Sequence, residues 1–391
     1  MTGALDGIKV LEAGLLVQGP QAAALLAQLG ADVVKVELPN IGDQARWLPI
    51  SRSDRRSPYF IGCNRGKRGM TVDVRVPAGR DVFIRLAEQS DVVITNFKPG
   101  TMEGWGLGYD DLAARNPGLV FATGSAFGPI GPDAQREGAD LSAQAAGGLI
   151  NATGTDDGEP TTVAVTIADH IASLNLVAGV LAALIARQHT GRGQRVDVSL
   201  LGSQIWAQAS EYSYYLASGE LPGRPNRGHP LIPGIYGIVP TSDGWLAIVG
   251  VVPALRASFY DAIGRPDLTD DERFSTPLLS KEQRADLFAI LADVFVHKPT
   301  AEWCEILAAA GQRFAPVRNY AEVAADPHVW ENGYLAEIDG EGVVGTPIRL
   351  SDTPAQVGGP PPELGGDTVE ILLAAGYSPE QLAELYAAGA I

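Results

Sequence analysis

Apolar residues in the first third of the chain fall into short runs separated by stretches of helical period. Ile8-Lys-Val-Leu11, Val33-Val-Lys-Val-Glu37, Val92-Val-Ile-Thr95 and Leu119-Val-Phe-Ala-Thr123 are rich in branched residues and read as four strands. Gln21 to Leu29 and Gly79 to Gln89 carry apolar positions at helical spacing. That alternation predicts an α/β fold, a parallel sheet covered by helices. Further on, Thr161-Thr-Val-Ala-Val-Thr-Ile-Ala-Asp169 reads as an extended segment, and His170 to Arg187 as an Ala- and Leu-rich buried core helix. The pattern changes after Gly219. Leu221 to Gly234 is dense in Pro and Gly, strands Tyr236 to Val239 and Trp245 to Val249 flank a turn at Ser242-Asp-Gly244, and Lys281 to Val296 and Ala301 to Ala310 read as helices. These features predict a smaller α/β domain over 221–320, after a large one over 1–220.

Composition narrows the class. A chain of 391 residues can bury two cores. No apolar run is expected to reach membrane-spanning length, and no charged-then-apolar leader opens the chain, so no membrane is expected as a partner. The two cysteines, Cys63 and Cys304, offer no disulfide framework and fit a reducing cytoplasm. A net charge of −17 argues against nucleic acid. The basic residues are not evenly spread, however. Arg46, Arg52, Arg55, Arg56, Arg65, Lys67, Arg68 and Arg75 fall in one window with only Asp54 and Asp73 against them. Such a window suits either capture of a polyanionic small molecule or a solvated arginine-rich loop.

Candidate chemistry centres on Asp169. A carboxylate at the start of a helix is favoured in its ionised form by free backbone N–H groups and the helix dipole. It can act as a nucleophile or serve only as a cap. Competing chemistries lack their residues. His170, His189, His229, His297 and His328 are scattered without metal-ligand spacing. There is no Gly-x-Ser-x-Gly elbow and no phosphate-binding loop. Val10 to Glu37 mimics a Rossmann-like unit, with an acidic residue closing its second strand, but lacks the glycine fingerprint of nicotinamide sites.

Short motifs in fixed order add a family resemblance. They are Leu5-Asp-Gly-Ile-Lys-Val-Leu11, Gly19-Pro20, Leu29 to Glu37, Gly42-Asp43 with Arg46, and Asn64-Arg-Gly-Lys-Arg68 running into Val72-Asp73. Asp91 to Gly100, Leu107-Gly-Tyr109, Asn116-Pro117, Phe127 to Pro132 and Thr190 to Leu200 follow. Asp243-Gly-Trp245, Ala315-Pro-Val317 and the tail Ala388 to Ile391 agree more loosely. Together they resemble the family III CoA-transferases, the group that also holds the α-methylacyl-CoA racemases.

The resemblance implies that Asp169 is the catalytic carboxylate and that coenzyme A is a substrate, with no permanently bound cofactor. It implies a CoA groove along Val17, Gln18, Val72, Arg75, Asn96, Phe97 and Lys98, continued by Ala139 and Asp140. Leu38 and Gly104 stand where many members are basic, and Arg46 and Lys67 are expected to compensate. The racemases carry histidine where this chain has Ala139, which favours transfer over racemisation; Asp140 is left to orient substrate or cap a helix. The partners implied are an acyl-CoA, a carboxylic acid and a second copy in an interlocked homodimer, with residues 321–391 returning to the large domain. Gly234-Ile-Tyr-Gly237 is a candidate for oxyanion donors, and Tyr212, Tyr214, Tyr215 and the loop from His229 to Tyr236 for acid specificity. A 2-methylacyl-CoA racemase and a non-catalytic acyl-CoA-binding protein are the alternatives.

Overall fold

The computed structural model describes residues 3–48, 57–224, 226–232, 234–274 and 279–391. By its internal contacts the chain forms two compact units. One comprises Met1–Gly147, Ala164–Ala207 and Pro327–Ile391; the other comprises Gly148–Val163 and Gln208–Asp326. Residues 148–163, 208–220 and 321–326 thus cluster with the second unit.

The first unit is built on a six-stranded sheet of order β3-β2-β1-β4-β5-β6. Its strands are β1 (Lys9–Ala13), β2 (Asp32–Glu37), β3 (Arg68–Thr71), β4 (Val92–Thr95), β5 (Val120–Ser125) and β6 (Arg195–Ser199), and all pair in parallel. Side chains alternate between faces, as strand geometry requires. Leu11, Val34, Val36, Val93 and Phe121 face one core, closed by the Pro77–Glu88 helix and by Ile371, Leu372, Leu382 and Leu385 near the C-terminus. Val10, Val33, Val92, Ile94, Val120 and Ala122 face the other, closed by the Gln18–Gln28 and Ile167–Thr190 helices. The C-terminal segment is tied to the β3 edge: Gly69 N–H donates to Asp367 and Asp73 N–H to the Ala390 carbonyl, at 2.7 and 2.8 Å. A two-stranded antiparallel hairpin, here labelled β10 (Leu335–Ile338) and β11 (Glu341–Val344), completes this unit.

Two expectations change at the long helix. Thr161 to Val165 forms no strand, and the helix begins at Ile167, so Asp169 lies inside its first turn. The helix runs for 24 residues and is long and apolar enough to cross a membrane by length and composition alone, against the expectation that no run would be. Its inner face, including Ala172, Leu176, Val180 and Ala183, is core. Gly179 permits that approach, since a Cβ there would stand 2.6 Å from the Val196 side chain of β6. The outer face is not buried: Leu174 and Ile185 are 52% and 58% exposed.

The second unit holds a three-stranded antiparallel sheet of β7 (Tyr236–Pro240), β8 (Trp245–Val249) and β9 (Phe314–Pro316). Helices Arg256–Ala262, Lys281–Phe295 and Thr300–Ala309 pack with it around Phe259, Leu287, Leu291, Phe295 and Trp303.

Candidate active site

The sheet order reverses between β1 and β4, and in open parallel sheets ligands bind outside the carboxyl ends of the strands at such a point. Here β1 ends at Ala13 and the chain turns through Gly14–Val17 into the first helix. Long-range side chains hold that turn by its backbone. Asn96, just past β4, accepts from Leu15 N–H and donates to the Leu15 carbonyl, each at 2.8 Å. Asp43 accepts from Leu16 N–H at 3.0 Å, Lys35 donates to the Gly14 carbonyl at 3.0 Å, and Lys67 donates to the Pro20 carbonyl at 2.7 Å. Leu16 sits at φ 63°, in the left-handed region, which costs a non-glycine residue about 1–3 kcal/mol and persists only where surroundings over-determine it.

The groups that hold the turn form a fully buried ion cluster. Glu12 pairs with Lys35 at 3.2 Å and Lys67 at 2.9 Å, and Lys35 also pairs with Asp43 at 2.9 Å. Burial opposes the charge on Glu12, yet the two lysines outweigh it and hold the carboxyl below its ordinary value. Burial likewise opposes the Lys35 ammonium, and Glu12, Asp43 and Glu37 outweigh it, raising its pKa. At Lys67 burial prevails over the pull of Glu12, and its pKa falls to about 8.

Asp169 is the third residue of its helix. Thr166, at the cap position, makes no capping bond with its side chain; a cap comes instead from Asp140. The Asp140 Oδ1 accepts from Ala168 N–H at 2.8 Å and from Asp169 N–H at 3.2 Å. Its Oδ2 accepts from Gln144 Nε2 at 2.6 Å, and that amide also reaches the Val165 carbonyl at 3.2 Å. Ser173 Oγ lies 2.8 Å from both the Gln18 and the Asp169 carbonyl oxygens, so the starts of the two helices are pinned together. Burial first, and then the charge of Asp140, push the Asp169 carboxyl up to about 7. No ion pair to Asp169 occurs among the described residues. Its neighbour His170 is held between Gln21 and Thr166, and burial keeps it below its ordinary value against the pull of Asp140.

The other sequence-selected residues divide sharply. Val17 and Gln18 start the first helix and are 4% and 3% exposed. Gln18 Nε2 is buried without a hydrogen-bond partner among the described residues, and its amide lies over Gly124 at the end of β5, where a Cβ would stand 2.3 Å from Gln18 Oε1. Asn96 serves the β1 turn. Phe97 makes an edge contact with Trp105 at 5.5 Å, and Lys98 is exposed. Val72 is 3% exposed and belongs to the sheet core. Ala139 and Asp140 lie at the head of the Asp140–Ala146 helix.

Among the described residues, the basic side chains of the cationic window have partners within the protein. Lys67 is spent on Glu12, Asn64 and Pro20 inside the protein. Arg46 forms a two-pronged pair with Glu37, reaches the Pro362 carbonyl and stacks 3.7 Å from the Phe60 ring centroid. Arg68 pairs with Asp32, and Arg75 pairs in the open with Asp73. Arg65 is buried; Arg52, Arg55 and Arg56 lie outside the described residues. The remaining candidates belong to the second unit. There a cavity of about 620 Å³ is lined by Tyr212, Tyr215, Glu211 and His229 among others, and Tyr214 donates to Glu220. Gly234 precedes β7 at φ 87°.

Sequence reasoning passed over Glu12, Lys35 and Asp43 as site residues. A signal was available: Glu12 and Lys35 are charges inside otherwise apolar strand segments, and a buried charge must find a partner.

Comparison with known proteins identifies the family. The family model for CoA-transferase family III matches residues 5–368. The chain is 30% identical to succinyl-CoA:glutarate CoA-transferase of Homo sapiens over 99% of this chain and 90% of that one. It is 34% identical to succinyl-CoA:mesaconate CoA-transferase of Haloarcula hispanica over 96% of this chain and 97% of that one. The crystal structure of a CaiB/BaiF family protein from Brucella suis superposes with a TM-score of 0.87 at 34% identity, covering 96% of this chain and 100% of the other. A strained, clamped turn at the sheet's reversal point and a carboxylate without an ion pair among the described residues, at the start of the long helix, thus sit on a chain that belongs to CoA-transferase family III and is a CoA-transferase.

Proposed function

We propose that the chain moves coenzyme A between carboxylic acids through covalent intermediates on Asp169. The observation that carries this reading is a half-buried carboxylate with no cationic partner among the described residues, at the head of the long helix and pinned to the start of the first. An Asp169 oxygen attacks the acyl-CoA carbonyl carbon, the C–S bond breaks, and a mixed anhydride and a CoA thiolate result. The thiolate attacks the aspartyl carbonyl carbon and releases the donor acid, leaving CoA as an aspartyl thioester. The acceptor carboxylate attacks that thioester to give a new anhydride and thiolate. The thiolate then takes the acceptor acyl group and restores the Asp169 carboxylate.

Each attack places negative charge on a carbonyl oxygen. Gln18 Nε2, which has no hydrogen-bond partner among the described residues, is a donor suited to receive it. CoA lies along Val17, Gln18, Asn96, Phe97 and Lys98 in this reading. The relatives' names, which pair succinyl-CoA with glutarate and with mesaconate, point to short dicarboxylic acids as donor and acceptor. The exposed apolar face of the Ile167–Thr190 helix supports a homodimer, because Leu174 and Ile185 need a cover.

Intact-mass spectrometry after incubation with succinyl-CoA and other acyl-CoAs tests the reading, with hydroxylamine or borohydride to trap intermediates. The expected result is an adduct mapping to Asp169 in the wild type and none in Asp169→Ala. No adduct, together with deuterium entering the α-carbon of a 2-methylacyl-CoA, would replace transfer with racemisation.

A further inference from the structure

The sequence leaves Asp140 between two roles, orienting substrate and capping a helix; its position supports a third. We infer that Asp140 is a positioning residue for Asp169: with Gln144 it fixes the first turn of the Ile167–Thr190 helix, and its negative charge strengthens Asp169 as a nucleophile. The inference rests on Asp169 being that nucleophile.

Three N–H donors converge on the Asp140 carboxylate, from Ala168, Asp169 and Gln144. Both of its oxygens are therefore taken up by protein, and the group is 8% exposed. That leaves it badly placed to bind substrate and well placed to hold a backbone. An ordinary cap comes from the residue preceding the helix, which here is Thr166. Asp140 reaches Asp169 N–H from 29 residues away instead, and Gln144 locks the arrangement by spanning Asp140 and the Val165 carbonyl. The result is a negative charge hydrogen-bonded to the backbone N–H of the residue that carries the Asp169 carboxylate.

The other groups around Asp169 do not neutralise that charge. His170, on the same helix, is kept below its ordinary pKa by burial. Cys63, on the Pro58–Asn64 helix, feels the Asp169 charge, and burial foremost pushes its thiol up to about 12. Lys67 and Lys35, which also act on Cys63, are engaged by Glu12 and Asp43. Gln18, Gln21 and Ser173 are uncharged. Asp140 is thus the charge that acts on Asp169 beside burial: burial first, and then Asp140, raise that carboxyl to about 7. A like charge nearby raises a carboxylate's proton affinity, and a more basic carboxylate is a stronger nucleophile once ionised.

Asp140→Asn removes the charge while its amide oxygen still accepts from the helix N–H groups; its NH2 cannot accept from Gln144, so that bond is lost here and in Gln144→Met alike, and the difference between the two variants isolates the charge. Gln144→Met loosens the tether and keeps the charge. Transfer rates would be measured against pH with succinyl-CoA, with adduct formation at Asp169 followed in the same samples. Asp140→Asn is expected to move the acid limb of kcat to lower pH by about one unit and to lower the plateau severalfold, with KM for succinyl-CoA unchanged. Gln144→Met is expected to lower kcat without moving the limb. An unshifted limb in Asp140→Asn, with the wild-type adduct formed as usual, overturns this role and leaves the nucleophile intact. A wild type that forms no Asp169 adduct overturns both. Should Asp140→Asn fail to fold, a Gln144→Met limb that moves with the lost tether also rejects the charge role, and an unmoved limb supports it.

Discussion

Two clusters of buried charge lie within the first unit, and they are organised on opposite principles. Under the β1 turn, Glu12, Lys35, Asp43 and Lys67 alternate in sign, and each charge is met by another at 2.9–3.2 Å. At the head of the long helix, Asp140 and Asp169 have the same sign and no ion pair between a cation and Asp169 exists among the described residues. The first arrangement satisfies its charges and holds a strained turn in place. The second leaves one charge unsatisfied, and that charge is available to a substrate. Buried ion pairs are weak evidence for stability but strong evidence for position; a buried like-charge pair points to chemistry.

The comparison would break first at Asp169. With Asp169 as the proposed nucleophile, Asp169→Asn is expected to lower transfer activity on the order of 10⁴-fold. It is also expected to stabilise the fold at neutral and higher pH. The native carboxyl binds its proton up to about pH 7, against an ordinary value of 3.8. The folded state therefore holds more protons than the unfolded state between those values, and stability falls as pH rises through them. The amide removes that loss. Thermal melts of the two proteins should nearly coincide near pH 4 and separate by pH 8, the variant melting higher. Coincidence at pH 8 would mean that Asp169 is not strained by its surroundings.

The paired cluster should behave in the reverse sense. Lys67→Met leaves Glu12 with one partner fewer and frees the Pro20 carbonyl and Asn64. Breaking a buried pair from one side costs roughly 3–5 kcal/mol, so denaturant midpoints should fall while Asp169 chemistry persists in the folded fraction. Glu12→Gln added to Lys67→Met should recover part of the loss. A double-mutant cycle with no coupling between the two would show that the cluster is not a unit.

How much of this could be read from the residues follows from the same contrast. β1, β2, β4 and β5 are interior strands, covered on both faces, and their mainly apolar runs betray them, even with Glu12 and Lys35 set into the first two. β3 and β6 are the two edges of the sheet, and their sequences Arg68-Gly-Met-Thr71 and Arg195-Val-Asp-Val-Ser199 carry the polar residues edges require, so no apolar run marks them. The Asp169 helix was legible by composition, but its start was not, because its cap is supplied by Asp140 and no local signal announces it. Charge count is incomplete for a related reason. A window of arginines and lysines looks like an anion site until each partner is known, and the partner of Lys67 is 55 residues away at Glu12.

Arg75 is where the smallest effect should appear, and it sharpens the contrast from outside the clusters. Its guanidinium is 60% exposed and forms a two-pronged pair with Asp73, whose carboxyl it holds below the ordinary value through direct hydrogen bonds. An exposed pair is easily exchanged, because water solvates both partners when they separate. Arg46 and Lys67 have no such freedom, being tied to buried carboxylates. Of these three, Arg75 is therefore the one able to turn toward a phosphate of CoA at little cost. Arg75→Ala should leave the melting temperature unchanged and kcat unaltered. KM for the acyl-CoA should rise roughly twofold to fivefold at low ionic strength, with the difference shrinking as salt screens the contact over a Debye length of about 10 Å at 0.1 M. Steady-state kinetics at two salt concentrations would measure it, and a KM that ignores both the substitution and the salt would remove Arg75 from the proposed CoA groove.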